Sequence, residues 1–366
     1  MRAAGANESP DTAHYPWVTR LLLSLFAEGK FENVAEVVVE PRYGYIGRIR
    51  YHNGAVRPFT GGGLEGLNNL AASRIARDKG WTRFFLETLG YQCPKGEKFV
   101  LEGFAERLNR RLSRPRWRGY LLEDQALAYL RENLEFPVYV KPAKGSQGRG
   151  VFRCRDESEV TEALEFYREN EVKLEGFLVE EAIAMPDFRV IVVDHDVICT
   201  YERRPLAVVG DGTSTVLELV TARQEELGRM GRPERIRMDD ARLVRNVAAA
   251  GYDLDAVIPS GLRLELLEVS NLSAGGDAVD FTGRIHAQWA ELCVAVTADF
   301  GLHLCGVDLA CRDITAAGPD YAILELNSSP GLDNYLTQGE AQEKVVRELY
   351  RRVFDRYQDL PVAPPR

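Results

Sequence analysis

Long apolar runs are missing from this sequence of 366 residues. The longest, such as Arg20 to Ala27, fall far short of the ~20 residues a membrane-spanning helix needs, so no membrane partner is expected. Basic tails and blocks are missing too. With a formal net charge of −9, a DNA or RNA partner is not expected either. The six cysteines, Cys93, Cys154, Cys199, Cys293, Cys305 and Cys311, show no C-x-x-C spacing. That speaks against a zinc site or a disulfide framework, and reduced thiols suit a cytoplasmic protein. Cys305 and Cys311 flank an apolar run and read as small core residues. Met1 to Pro16 lacks the apolar stretch of a signal peptide, and no internal repeat or low-complexity block is present. Apolar residues make up 45% and charged residues 28%, the balance of a globular chain long enough for two or three lobes.

Periodicity divides the chain. Residues 1–14 and 360–366 read as disordered. Trp17 to Glu28 has helical spacing. Val34–Glu40, Gly44–Tyr51 and Ala55–Phe59 read as strands, with a turn at His52-Asn53-Gly54. Gly61-Gly62-Gly63 reads as a flexible connection. The pattern then predicts one helix over Ala71–Leu89, a helix over Glu123–Asn133, strands at Pro137–Pro142 and Val151–Arg155, and a helix over Glu157–Asn170. Strands follow at Phe177–Glu180, Phe188–Val193 and Asp196–Arg204, then a charged helical insertion near Val216–Arg229 and a strand at Leu262–Val269. A helix at Ile285–Phe300, strands at Leu302–Arg312 and Ala322–Leu326, and a helix at Gly339–Tyr357 complete the series. The fold class is α+β (α/β) with antiparallel pairing rather than a Rossmann unit. The expected division is 1–70 as an amino-terminal region, 71–175 as a lobe with the glycine loop, and 176–360 as a further lobe.

Three constellations carry chemistry. Lys141-Pro-Ala-Lys-Gly-Ser-Gln-Gly-Arg-Gly-Val151 places Gly145, Gly148 and Gly150 after a strand that ends in lysine. Such glycines let backbone N–H groups approach phosphates, with Lys141 and Lys144 as point charges and Ser146 within the loop. A hairpin tip with surface lysines has the same pattern. Leu178-Val179-Glu180-Glu181-Ala182 ends an apolar strand in two carboxylates that could accept an adenine amine, with Asp187 suited to ribose hydroxyls. A solvated strand end reads alike. Asp308, Glu325 and Asn327 interrupt two apolar strands, and Glu325 and Asn327 share a face by i, i+2 alternation. Burying them calls for a cation, and an all-oxygen set suits Mg²⁺. His286, just before a helix, is either a proton acceptor or a helix cap.

In this order the segments resemble the ATP-grasp superfamily of carboxylate–amine and carboxylate–thiol ligases, from about Ala71 to Leu336. Within it they are similar to the ATP-grasp part of cyanophycin synthetases and of bifunctional glutathione synthetases. The residues carrying the resemblance are Arg77-Asp78-Lys79, the glycine loop, Val179-Glu180-Glu181-Ala182 and Arg203-Arg204-Pro205. Val209-Gly210-Asp211-Gly212, Asn271-Leu272-Ser273-Ala274-Gly275-Gly276 and Glu325-Leu326-Asn327-Ser328-Ser329-Pro330-Gly331 continue it. The resemblance implies two α+β lobes sandwiching ATP behind a small amino-terminal domain. It also implies ATP and Mg²⁺ as cofactors, Lys79 and Lys141 on the phosphates, and Glu180 with the backbone near Ala182 on adenine. Arg189 and Arg203 would face the transferring phosphoryl group. Asn271, Ser273, Gly275, Ser329 and Gly331 would lie at the acceptor side.

The expected activity is joining a carboxylate, activated as acyl-phosphate, to the amine of an amino acid or peptide, with Gly145–Gly150 as a lid against water. A kinase-like phosphotransferase or a non-catalytic nucleotide-binding module are the alternatives. Small-molecule or peptide substrates are the expected partners, with a homo-oligomer possible by analogy. Cyanophycin synthetases continue into a second ligase domain, whereas one grasp unit is read here. Residues 1–70 match no nameable amino-terminal domain, so the substrate pair stays open.

Overall fold

The computed structural model describes residues 12–61, 67–111, 121–145, 148–169, 175–230, 232, 236, 238, 240–270 and 272–356. Most of the expected tails, together with Gly62 and Gly63, lie outside these residues. The first helix, α1 (Trp17–Ala27), buries Val18, Leu21, Leu22 and Leu25 at helical spacing. It ends where Gly29 takes φ +67°, a conformation that suits glycine. Strands β1 (Val34–Val39), β2 (Ile46–Tyr51) and β3 (Val56–Thr60) then form an antiparallel meander.

The single helix expected over Ala71–Leu89 is two: α2 (Leu70–Arg77) and α3 (Lys79–Thr88). Asp78 between them is extended, at φ −104° and ψ 107°. Its carboxylate accepts the N–H groups of Gly80 and Trp81 at 3.1 and 3.2 Å, and Lys98 Nζ lies 2.7 Å away. An aspartate at this point satisfies orphan N–H groups better as a cap than inside a helix. The break puts Lys79 in the first turn of α3, where its backbone N–H meets the Ala143 carbonyl at 2.9 Å.

Two elements unforeseen in the sequence follow, β4 (Gly96–Val100) and α4 (Glu102–Arg111). After them come α5 (Ala126–Asn133), β5 (Val138–Pro142), β6 (Phe152–Cys154), α6 (Glu157–Glu169) and β7 (Gly176–Glu181). Their sheet has the order β4-β7-β5-β6 and is antiparallel throughout. By pairing, β7 therefore sits in the sheet of the glycine loop, on the far side of the division expected at 175/176. Strand partners are set by long-range fit and not by local composition. Phe99, Ala126, Leu130, Val160, Leu164, Tyr167 and Phe177 form the core of this lobe.

The rest of the chain builds a five-stranded antiparallel sheet. Its members are β8 (Asp187–Val193) and β9 (Asp196–Arg204), joined after an insertion by further strands. The insertion holds β10 (Ala207–Val209), α7 (Val216–Arg229), α8 (Ala241–Ala249) and β11 (Arg263–Glu265), around its own core of Leu206, Val220, Leu243, Ile258 and Leu266. The strand expected over Leu262–Val269 is thus only three residues long, because Leu266 and Leu267 turn into that core. Then come β12 (Asp277–Asp280), α9 (Ala287–Asp299), β13 (Leu304–Cys311), β14 (Tyr321–Asn327), α10 (Asp333–Leu336) and α11 (Glu340–Arg356), giving the order β12-β9-β8-β13-β14. His286 caps α9, its Nδ1 accepting the Gln288 N–H at 3.2 Å.

Alternation along β8 sends Val190 and Val192 to one face and Ile191 and Val193 to the other. The first pair packs with α9, α2 and α3. The second packs with α11, α1 and β1–β3 in a shared core. Every residue of β13 is buried, Asp308, Cys305 and Cys311 included. Among the described residues no helix is long and apolar enough to cross a membrane.

Candidate active site

A cleft of about 680 Å³ opens between the four-stranded and the five-stranded sheets. On the first wall, Lys141 stands on β5 beside β7, in a ladder that sets Tyr139 opposite Glu180. Lys141 Nζ is paired with the Glu180 carboxylate, and both side chains are nearly buried. Gly96 on β4 is needed here: a Cβ on it would fall within 2.5 Å of Glu180 Cβ. Lys79 crosses the cleft, its Nζ 3.3 Å from the Gly145 carbonyl and 3.1 Å from Glu325 Oε1.

The opposite wall is a row across three strands. Arg189 on β8 pairs in register with Asp308 on β13, which pairs with Glu325 on β14. Register partners share a face and lie close together, so the charges meet. Arg189 grips Asp308 through Nε and through Nη2, the latter at 3.0 Å. Arg203 on β9 donates through Nη2 to Asp308 Oδ2 and Asp187 Oδ2, both at 2.7 Å. Burial opposes the charge on Asp308, yet the guanidiniums of Arg189 and Arg203 together hold its pKa below the usual aspartate value. For Asp187 burial prevails over Arg203, aided by the nearby Asp308 charge, and its pKa is raised. Burial is also the largest influence on Arg203 and lowers its pKa, but Asp187 and Asp308 outweigh it and raise the guanidinium's pKa further.

The expected metal set is brought together with its charges already balanced by Lys79, Arg189 and Arg203. Among the described residues no three His, Cys, Asp or Glu side chains cluster as a metal site. A cation here would rest on two carboxylates and one amide, with the remainder of its shell from outside the protein. That is the usual mode for Mg²⁺ bound with phosphates. Asn327 Nδ2 and Arg203 Nε are buried and have no hydrogen-bond partner among the described residues. Both are N–H donors, so what they lack is an acceptor such as a phosphate oxygen, whereas the oxygens of Asp308, Glu325 and Asn327 suit a hard cation.

Of the residues singled out in the sequence, Lys79, Lys141, Gly145, Gly148, Glu180, Glu181, Asp187, Arg189, Arg203, Ser273, Asp308, Glu325, Asn327, Ser329 and Gly331 border the cleft. Four other expected residues do not. Lys144 turns outward to pair with Glu175 and lies 5.5 Å from the Trp81 ring centre. Gly150 lends its carbonyl to the Tyr167 hydroxyl. The Ala182 N–H is spent on the Pro137 carbonyl at 3.3 Å, and it is Ile183 and Met185 that reach the cleft. Gly275 packs against Leu206, Leu227 and Ile236. Ser146 and Asn271 lie outside the described residues.

Other cleft residues escaped the sequence reading: Trp17, Tyr139, Tyr201, Glu268, Asp333 and Asn334. Tyr139 was within reach, since it precedes Lys141 by two residues on the same strand. Trp17 and Glu268 carry no local signal, because they arrive from the amino-terminal region and the insertion.

Residues 118–211 match the RimK-like ATP-grasp domain. The chain is 33% identical over 202 residues to a cyanophycin synthetase of Nostoc sp. (strain PCC 7120 / SAG 25.82 / UTEX 2576), covering 54% of this chain and 22% of that protein. It is 26% identical over 324 residues to the glutathione biosynthesis bifunctional protein GshAB of Streptococcus mutans serotype c (strain ATCC 700610 / UA159), covering 83% of this chain and 39% of that protein. The chain thus spans well under half the length of these curated relatives. Among solved structures, a bifunctional glutathione synthetase from Pasteurella multocida superposes with a TM-score of 0.53 at 19% identity, over 92% of this chain and 44% of that one. The chain therefore has the ATP-grasp fold, and its residues 118–211 are similar to the RimK-like ATP-grasp domain.

Proposed function

We propose that this protein is an ATP- and Mg²⁺-dependent ligase that joins a carboxylate to the amine of an amino acid or peptide. The observation that carries the reading is a single cleft shared by the lysines and glycine loop of one sheet and the Arg189–Asp308–Glu325 row of the other. In this reading Lys79, Lys141, Gly145 and Gly148 hold the phosphates. Glu180, Glu181 and the chain leading to Ile183 face adenine, and Asp187 faces the ribose. Asp308, Glu325 and Asn327 would hold Mg²⁺, which would supply neutralising charge to the phosphates.

Arg189 and Arg203, fixed by Asp308 and Asp187, offer positive charge where the γ-phosphoryl group is transferred, at no cost of reorganisation. A substrate carboxylate oxygen bonds to the γ-phosphorus as ADP leaves. An amine nitrogen then bonds to the acyl carbon, phosphate leaves with the C–O electrons, and the amine gives up a proton. No Ser or Cys nucleophile is required, which agrees with six cysteines placed for packing. In this reading Ser273, Ser329 and Gly331, which border the same cleft, would lie at the acceptor side.

The reading is tested by screening amino acids and dipeptides for stimulated ADP release, with mass spectrometry of the product. Acid- and amine-dependent ADP release with a new amide supports it. A phosphorylated product without amide would assign a phosphotransferase instead, and no ADP release with any pair would leave nucleotide binding alone.

A further inference from the structure

Helix α8 of the insertion begins at Asp240, whose carboxylate accepts the Arg242 N–H at 3.0 Å. The same carboxylate grips the Arg242 guanidinium through Nε at 3.1 Å and Nη2 at 2.8 Å. This two-point fork fixes a long, flexible side chain. It leaves Nη1 to donate to the Gly148 carbonyl in the glycine loop, at 3.3 Å. The Val151 N–H reaches that carbonyl too, at 3.3 Å, and Gly148 itself sits at φ +65°.

The C=O and N–H of a trans peptide point in opposite directions. A Gly148 carbonyl drawn towards α8 therefore turns the Arg149 N–H the other way, and both Gly148 and Arg149 border the cleft. Further links hold the insertion against the strand after the loop. Arg155 meets Glu268 at 2.9 Å and Asn246 at 3.2 Å, and Arg153 meets Glu268 at 3.2 Å. Between them lies a small cavity of about 40 Å³ bordered by Arg242, Arg245, Gly148 and Glu268. Among the described residues, contact between insertion and loop is thus polar and local, and Arg242 is the insertion side chain that hydrogen-bonds the loop backbone.

We propose that Arg242 is a positioning residue for nucleotide binding: it clamps the Gly148 carbonyl so that the Arg149 N–H is held facing the phosphates. The inference rests on the nucleotide reading above and extends it to a residue of the insertion. An oriented set of N–H groups binds an anion without first paying to order itself. A free loop would have to be ordered by the nucleotide.

The test compares Arg242→Gln and Arg242→Lys in the full chain with Arg245→Gln. Arg245 borders the same cavity from the same helix but is directed to Glu159, 3.5 Å away, and not to the loop. Two quantities are read: the dissociation constant for Mg-ATP by calorimetry, and the rate of tryptic cleavage after the exposed Arg149 without nucleotide. Arg242→Gln should weaken Mg-ATP about tenfold, the loss of roughly one charge-assisted hydrogen bond, and speed cleavage several-fold. In turnover the loss should appear in KM for ATP and not in kcat. Arg242→Lys should recover part of the affinity, and Arg245→Gln should match the wild type in both measurements. Wild-type affinity in Arg242→Gln, or an equal loss in Arg245→Gln, overturns the inference. If the wild type binds no Mg-ATP, it is the nucleotide reading that fails. Cleavage then decides the clamp alone, and an unchanged rate in Arg242→Gln rejects it.

Discussion

Lys79 reaches Glu325 across the cleft, with Nζ 3.1 Å from Oε1, while its backbone N–H holds the Ala143 carbonyl at 2.9 Å. One residue thereby ties the start of the glycine loop to the strand that ends in the candidate metal set. The tie exists because Asp78 ends α2 and starts α3, which aims Lys79 inward.

Replacing Lys79 with methionine keeps the aliphatic stem and removes the charge. If Lys79 contacts phosphate, one charge-assisted hydrogen bond worth about 1.5–3 kcal/mol is lost. That predicts a fall in kcat/KM for ATP of about 10- to 100-fold, read by ADP release. A change below about twofold would remove Lys79 from the nucleotide site.

Asp308 and Glu325 should separate stability from activity. Asp308→Ala leaves two nearly buried guanidiniums without their shared carboxylate, and such a loss costs about 3–5 kcal/mol, seen as a lower urea midpoint. Glu325→Gln should leave the midpoint almost unchanged, because Lys79 keeps the Gly145 carbonyl. Both variants should lose Mg-ATP turnover. Retained turnover in either one argues against the metal assignment.

Asp187 and Asp308 share Arg203 yet are pushed in opposite directions, and this gives a signed pH effect. For Asp187 the folded pKa is raised above the ordinary 3.8, so the folded state binds the proton more tightly and gains stability as pH falls through the raised value. For Asp308 the folded pKa is depressed, so its contribution is present above 3.8 and is lost as pH falls through the depressed value. Asp187→Asn mimics the protonated form. It should melt no lower than the wild type at pH 7, and the two should converge as pH approaches 3.8. A variant that melts lower at pH 7, by a gap that closes as pH falls below 3.8, would show that the charge of Asp187 is stabilising.

The amino-terminal region shares its core with the rest of the molecule. Leu22 is fully buried in a cluster that includes Tyr201 of β9 and Val346, Leu349 and Phe354 of α11. Leu22→Ala should cost about 2–5 kcal/mol and should shift one common unfolding transition. Separate transitions by fluorescence and circular dichroism would make residues 1–70 an independent unit.

Local patterns made much of this molecule legible. The spacing of Val18, Leu21, Leu22 and Leu25 announced α1, and the alternation of β8 and the apolar run of β13 announced the central sheet. The glycine loop, the Glu180–Glu181 strand end and the Asp308, Glu325 and Asn327 set were each visible as departures from apolar patterning. Local reading failed where one residue could serve two roles, as Asp78 does between α2 and α3, or where an element is short, as with β10 and β12. Lys144, Gly150, Ala182 and Gly275 belong to segments that reach the cleft, but side-chain and backbone direction within such a segment depends on its partners.

By itself, then, the sequence determined which residue types are available and on which elements they stand, because helix and strand periods are local properties of the chain. Only the tertiary structure decided which charges meet. Register set Arg189 against Asp308 and Asp308 against Glu325, and β7 joined the sheet of the glycine loop. From sites remote in sequence, Trp17, Glu268 and Arg242 came to the cleft and its loop. The physical reason is that strand pairing and ion pairing are chosen by the free energy of the whole packed assembly, in which a carboxylate such as Asp308 can be buried only where guanidiniums from two other strands arrive to meet it.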